Sequence, residues 1–112
     1  MSVIDAIVAA LAKYAPAVGE WPGDATGNHV SIIPLYDKAF EADNEDWVID
    51  EYIDIHFFVA GDYQPTRRSA RKALNEAGVA VVDTRYIECL DNQHHFVLSV
   101  VGRDEEGEQE NG

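Results

Sequence analysis

The stretch that decides the fold is residues 47–59, WVIDEYIDIHFFV. Its apolar side chains alternate, and a single face carries Trp47, Ile49, Ile53, Ile55, Phe57 and Val59. Only Glu51 interrupts that face. Alternation with a period of two is typical of a strand that buries one side. Because the stretch is longer than the usual five or six residues of a strand, we expect it to extend beyond the core as a hairpin arm or to bend at a bulge.

The chain upstream begins with an amphipathic helix. Ser2 and Asp5 resemble a capping box with Asp in place of the usual Glu, and apolar residues then recur at helical spacing. We predict a helix from about residue 3 to Tyr14, ended by Pro16 and Gly19.

Between this helix and the long strand, the sequence predicts two connections and one short strand. Residues 17–29 are rich in Gly, Pro, Asp and Asn and form a loop, which we expect Trp21 to pin to the body. Residues 30–35 form a strand, and Pro34 places that point at a sheet edge or a strand end. Residues 36–46, YDKAFEADNED, are expected to be a mobile polar connection.

A second helix follows the long strand. Pro65 lies in its first turn and Gly78 ends it. The apolar stripe of this helix is made of the small side chains Ala70, Ala73, Leu74 and Ala77. Such a stripe allows the helix to lie close against a sheet.

The last third of the chain reads as strands and a tail. Residues 79–82 and 85–90 form one broken strand or two short ones, followed by a turn at Asp91 and Asn92 and a last strand, HHFVLSVVG, at 94–102. Residues 103–112 contain no apolar side chain and repeat like charge, so we expect them to be disordered.

The predicted class is therefore α+β, in the order helix, strand, strand, helix, strand, strand. We expect a mostly antiparallel sheet with two helices packed on one face. Residues 1–102 form a single domain, and residues 103–112 form a disordered acidic tail.

Composition excludes several function classes. The chain has 112 residues, 21 acidic and 8 basic, for a formal net charge of -13. Such acidity repels phosphate backbones and anionic membranes, so we expect neither sequence-specific nucleic-acid binding nor membrane binding. The N-terminus lacks the basic region of a secretory signal, and we expect the protein to remain in the cytoplasm.

No catalytic or metal-binding constellation is recognisable. Asp50 and Asp54 share one strand face while Glu51 points to the other, and no Gly-rich phosphate-binding loop accompanies them. Cys89 is the only cysteine, and we expect it to be a buried apolar residue. We therefore expect no enzyme activity, no catalytic residues, no cofactor and no metal.

The four histidines leave one alternative open. None has the spacing of a helical zinc site. If the long strand pairs with the last one, however, His56 faces His94 or His95. A small enzyme built on these histidines and nearby carboxylates remains a third hypothesis.

Half of the basic residues lie within six positions of the second helix, at Arg67, Arg68, Arg71 and Lys72. They form two adjacent i, i+4 rows, typical either of a solvated helix face or of a contact with an acidic surface. Residues 41–54 carry seven carboxylates, including Asp50, Glu51 and Asp54. A basic patch and an acidic segment, residues 41–54, on one chain favour head-to-tail self-association. These seven named residues are the predicted subunit or partner interface.

Taken in order, these elements resemble the tail-completion or tail-terminator proteins of long-tailed bacteriophages, a family of minor tail, head-tail joining components. The resemblance covers about residues 3–102. It rests on the N-terminal helix and on the segments VSIIPLYD, DEYIDIHFFVAGDY, RRSARKALNEAG, VAVVDTRYIE and HHFVLSVVG.

The resemblance implies a non-enzymatic structural protein that forms a hexameric ring, terminates the tail tube and joins it to the head. Its partners would be further copies of itself, the tail-tube protein and the head connector protein. It would occupy the host cytoplasm during assembly and then the virion tail. The alternative is an acidic binding module or inhibitor that imitates nucleic acid and binds a basic host protein.

Overall fold

The computed structural model describes residues 2–19, 28–42 and 46–105, with side chains for residues 2–19, 28–37 and 50–103. In chain order the elements are α1 (Val3–Ala10), a 3-10 turn (Ala12–Tyr14), β1 (Ala17–Val18), β2 (His29–Ala42), β3 (Asp46–Ala60), α2 (Gln64–Glu76), β4 (Ala80–Leu90) and β5 (Gln93–Glu105). The predicted α+β class is confirmed. The strand β1 was not anticipated, because two residues are too few to show a pattern.

The five strands form one open sheet in the order β1-β2-β3-β5-β4. The pairing of β1 with β2 is parallel, and the other three pairings are antiparallel. The long strand β3 lies at the centre, paired with β2 over residues 46–58 and with β5 over residues 48–60. Its main-chain donors and acceptors are therefore satisfied on both sides along almost all of its length.

The alternation in β3 has the predicted consequence. Ile53, Ile55, Phe57 and Val59 are all buried. The predicted hairpin arm is also present, since β2 and β3 remain paired beyond the last of these core residues. The register shift lies in β2, between Pro34 and Tyr36.

The predicted polar connection at residues 36–46 is wrong over much of its length. Residues 36–42 continue β2, and Asp46 begins β3. The polar side chains do not prevent this, because residues 48–52 of β3 need backbone partners on both sides, and β2 and β5 supply them. Similarly, β5 runs to Glu105, so residues 103–105 are not part of a disordered tail. Trp21 and the rest of the tail lie outside the described residues.

Both helices contribute to one buried cluster on one face of the sheet. From α1 and the residue after it come Val3, Ile7 and Leu11, and from α2 come Ala70 and Leu74. They meet the buried face of β3 together with the alternate residues Phe96, Leu98 and Val100 of β5. In the described part of the chain, neither helix combines the length and apolar character that crossing a membrane requires.

The strand β4 is continuous, with register shifts around Val82 and Ile87. It forms one edge of the sheet, so its outer side has no neighbour among the described strands. The expectation that Cys89 is buried is wrong, since this residue lies near the end of that edge strand and is exposed. The predicted turn after β4 is confirmed, with positive φ at Asp91 and Asn92.

We predict that replacing Gly102 with alanine destabilises the fold. Gly102 is buried in β5, and a Cβ there would overlap the side chain of Val3. Forcing an atom into a packed site costs about 1–3 kcal/mol. Urea denaturation of the Gly102→Ala variant measures this loss of free energy of unfolding.

The double variant Val3→Ala with Gly102→Ala is the matched control. Removing the Val3 methyl groups vacates the space that the new Cβ needs, so the two changes should be less costly together than their sum. Strict additivity of the two losses contradicts the assigned contact between α1 and β5.

Candidate subunit interface

The four basic residues predicted as an interface lie along α2. The helix begins with Pro65 in its first turn and ends before Gly78, whose φ is +83°. Its buried side is formed by Ala70 and Leu74. We refer to the side chains of Arg67, Arg68, Arg71 and Lys72 as the basic helix face. All are exposed except Arg67, which is half-buried.

The basic helix face carries unbalanced charge. Arg68, Arg71 and Lys72 line a shallow groove of about 430 Å³ together with Asn75 and Glu76. Among the residues whose side chains the structure describes, the ion pairs involve other arginines and none of these four basic groups. The face is therefore able to accept carboxylates from another molecule.

Two of the three predicted acidic interface residues, unlike the basic ones, form ion pairs within the chain. Asp50 accepts two hydrogen bonds from Arg103, from Nε to Oδ1 at 2.7 Å and from Nη2 to Oδ2 at 3.2 Å. These hydrogen bonds hold the pKa of the Asp50 carboxyl below its usual value. Asp54 accepts a hydrogen bond from Arg85 at 2.9 Å and one from Ser99 at 2.6 Å. Both carboxylates are thus engaged within the chain.

The sequence did not predict that Arg85 and Arg103 bind these two carboxylates. They lie on β4 and β5, more than 30 positions from the carboxylates they bind. Only the register of the sheet brings them together, with Asp50 opposite Arg103 and Asp54 opposite Ser99. The arginine at position 85 reaches Asp54 across the intervening strand.

Glu51 lies on the other face of β3, as predicted, and its neighbours in register are Asp37 and Gly102. It belongs to the paired segments 36–42 and 46–52, which we call the acidic arm. By sequence, these two segments carry Asp37, Glu41, Asp46, Asp50 and Glu51. The arm begins next to Ile32 and Ile53, the buried residues nearest to it in β2 and β3 among the side chains that the structure describes.

The sheet face opposite the helices holds three histidines around Phe58. The Phe58 ring stacks on His29 at a centroid distance of 4.5 Å and on His95 at 4.2 Å. Nδ1 of His56 lies 2.9 Å from Nε2 of His95, a hydrogen bond between the two rings. The predicted proximity of His56 to a histidine of the last strand is confirmed for His95.

His94 lies on the helix-covered side of β5 instead. Its Nδ1 is 2.9 Å from the hydroxyl of Tyr86, and its Nε2 is 4.0 Å from Sγ of Cys89. Within the described residues, no group of three or more His, Cys, Asp or Glu side chains has an arrangement that could hold a metal ion. The alternation of β5 separates the adjacent histidines, so they do not converge on one site.

No protein-family model matches this chain, and no curated protein sequence matches it either.

We predict that the His56 and His95 pair makes stability decrease in mild acid. Burial is the main cause that lowers the pKa of both imidazoles, so both rings favour the neutral form in the folded state. Unfolded histidine titrates near a pKa of about 6.5. As the pH falls below that value, the unfolded chain binds more protons than the folded chain. The stability that the two histidines contribute is therefore lost as the pH falls from the unfolded pKa through the lower pKa of the folded state.

The double variant His56→Gln with His95→Gln removes both titrations. Its free energy of unfolding, measured by urea denaturation, should vary less between about pH 7.5 and about pH 5 than that of the unaltered protein. An equal slope in the two proteins would contradict this prediction, because it would mean that the half-buried histidine pair does not contribute to the pH dependence.

Proposed function

We propose that this protein is a non-enzymatic assembly component that forms a ring of identical subunits, terminates a phage tail tube and joins it to the head. The observation that carries the proposal is the division of charge within one chain. The basic helix face has no ion-pair partner among the described side chains, while the acidic arm extends beyond the core. Two complementary but different surfaces support head-to-tail contacts rather than a symmetric dimer.

The position of the two surfaces favours a contact between copies. The basic helix face lies on α2, which packs over the body of the sheet through Ala70 and Leu74. The acidic arm begins at Tyr36 and Tyr52, whose rings stack at 4.6 Å. The arm of a neighbouring subunit can supply carboxylates to the basic helix face, since by sequence α2 carries four basic residues and the single carboxylate of Glu76. Repeating this contact with rotation closes a ring.

The intrachain ion pairs bear on the second candidate, an acidic protein that imitates nucleic acid. Such a protein needs a row of carboxylates that a basic partner can reach. Asp50 and Asp54 are instead bound to Arg103 and Arg85 of the same chain. The paired carboxylates therefore favour assembly over imitation.

The more detailed parts of the proposal derive from the family resemblance. They are a hexameric ring, contacts with the tail-tube protein and the head connector, and a location in the host cytoplasm before incorporation into the virion tail. The proposed role requires no enzymatic activity, cofactor or metal.

Charge reversal tests the contact between subunits. We expect the unaltered protein to form oligomers in native mass spectrometry. The variant Arg68→Glu with Arg71→Glu should dissociate into monomers, because like charges then face each other across the contact. The variant Arg68→Lys with Arg71→Lys retains the charge and is the matched control.

Reversing the charge of the acidic arm as well makes the test specific to the pairing of the two surfaces. The variant Asp37→Arg with Glu41→Arg should also be monomeric, while a chain that carries both reversals regains complementary surfaces and should assemble. A doubly reversed chain that stays monomeric contradicts the pairing of these two surfaces.

The proposed role in the tail has a separate test. Tubes of the tail-tube protein from the same genome should stop growing when the protein is added, and unchanged growth contradicts the role.

A further inference from the structure

The two lateral edges of the sheet hold the exposed apolar side chains of the described structure. The large hydrophobic residues that are exposed there are Val18, Leu35, Tyr36, Val82, Tyr86, Ile87 and Leu90. All of them belong to β1, β2 or β4, and none to the central strands β3 and β5. Apolar exposure concentrated along sheet edges marks a surface that another chain covers.

Three of these residues lie at irregularities of the strands. Leu35 lies at the register shift of β2, and Val82 and Ile87 lie at the two shifts of β4. None of the three has a partner in the register of the sheet. Their exposed fractions are 50%, 61% and 46%. A bulge that faced only water would more naturally carry a polar residue, so these positions indicate contact.

Main-chain groups are available along both edges. Within the described residues, β1 pairs with β2 only at Ser31 and Ile32, and no strand covers the outer side of β2 from Ile33 to Ala42. None of the described strands covers the outer side of β4 over its 11 residues either. Each edge therefore offers N–H and C=O groups to a further strand.

Strand directions fit one edge to the other. Because β2, β3, β5 and β4 alternate in direction, β4 runs opposite to β2. A second copy placed beside the first in the same orientation thus brings its β2 antiparallel to β4, the more stable kind of pairing.

Two of the irregularities, at Leu35 and Val82, lie next to one row of the sheet. Pro34 pairs with Ile53, Ile53 with Val100, and Val100 with Val81, so that these four residues form one row. Leu35 follows Pro34 and Val82 follows Val81, but because β2 and β4 run in opposite directions the two residues lie on opposite sides of that row. Side-by-side copies that pair Pro34 with Val81 of the neighbour make Leu35 and Val82 diagonal neighbours, about 7–8 Å apart and within reach of large side chains.

We infer that copies of this chain join through their sheet edges, with β4 of one copy adding to the exposed part of β2 in the next and with Leu35 and Val82 packed at the junction. This inference rests on the proposed self-assembly but requires neither the contact of α2 with the acidic arm nor the phage role. The contact joins the sheets of neighbouring copies into one continuous sheet around the assembly.

Disulfide trapping tests the junction directly. In a Cys89→Ser background, one chain carries Leu35→Cys and a second chain carries Val82→Cys. After mixing and mild oxidation, we expect the mixed disulfide to exceed that of an exposed helix control, Ala9→Cys mixed with Val82→Cys, by about tenfold, because adjacent thiols have a high effective concentration.

Two results would overturn the inference. A predominance of the Val82 homodimer would mean that β4 pairs with β4 across a two-fold axis. A yield of mixed disulfide no greater than in the Ala9 control would mean that the bulges prevent pairing with another chain instead of forming a contact.

A second set of variants distinguishes this contact from the charge contact. Val82→Lys and Ile87→Lys place charge on the edge and should abolish the oligomers seen in native mass spectrometry, while Ala9→Lys should leave them intact. Circular dichroism verifies folding. If the edge variants assemble normally while charge reversal on α2 still yields monomers, the edge contact is wrong and the proposed ring contact stands.

Discussion

The pairing of β3 with β2 on one side and β5 on the other is the constraint on which the rest of the structure depends. The strand spans Asp46–Ala60, and its register selects which of its side chains are buried. A slip of one residue would move Ile53, Ile55 and Phe57 from the core to the opposite face. Because neighbouring strands hold β3 along nearly its whole length, that slip would break pairings on both sides at once.

The same register determines the chemistry of the uncovered face. With the isoleucines buried, Asp50, Asp54, His56 and Phe58 must point away from the helices. There the carboxylates meet Arg103 and Arg85, and the two half-buried rings of His56 and His95 share a hydrogen bond. Asp50 and Asp54 are paired with arginines of the same chain, and the basic helix face keeps its positive charge without an ion pair among the described side chains. A strongly acidic protein thereby retains one basic face for a complementary surface.

Much of the fold could be predicted because strong periodicity accompanies burial. The alternation of β3, the helical spacing of α1 and the Pro65 and Gly78 boundaries of α2 all reflect packing against the core. The continuation of β2 through residues 36–42 could not be predicted in this way, since polar residues interrupt the apolar alternation there and the strand depends on its backbone pairing with β3. The exposure of Cys89 and the partners of Asp50 and Asp54 depend on strand order, which no local pattern determines. Bulges at Leu35, Val82 and Ile87 are likewise visible only once the strands are paired.

Self-assembly through open sheet edges has a direct signature in backbone hydrogen exchange. In the described chain, β4 and residues 33–37 have outer sides without a neighbouring strand, whereas β3 is already paired on both sides. The exchangeable amides of the second segment are those of residues 33 and 35–37, because Pro34 has no N–H. Hydrogen–deuterium exchange measured over a range of protein concentrations should therefore show slower exchange in both edge segments as the concentration rises, with little change in β3. Exchange in β4 that is independent of concentration, at concentrations where oligomers are present, would contradict the account.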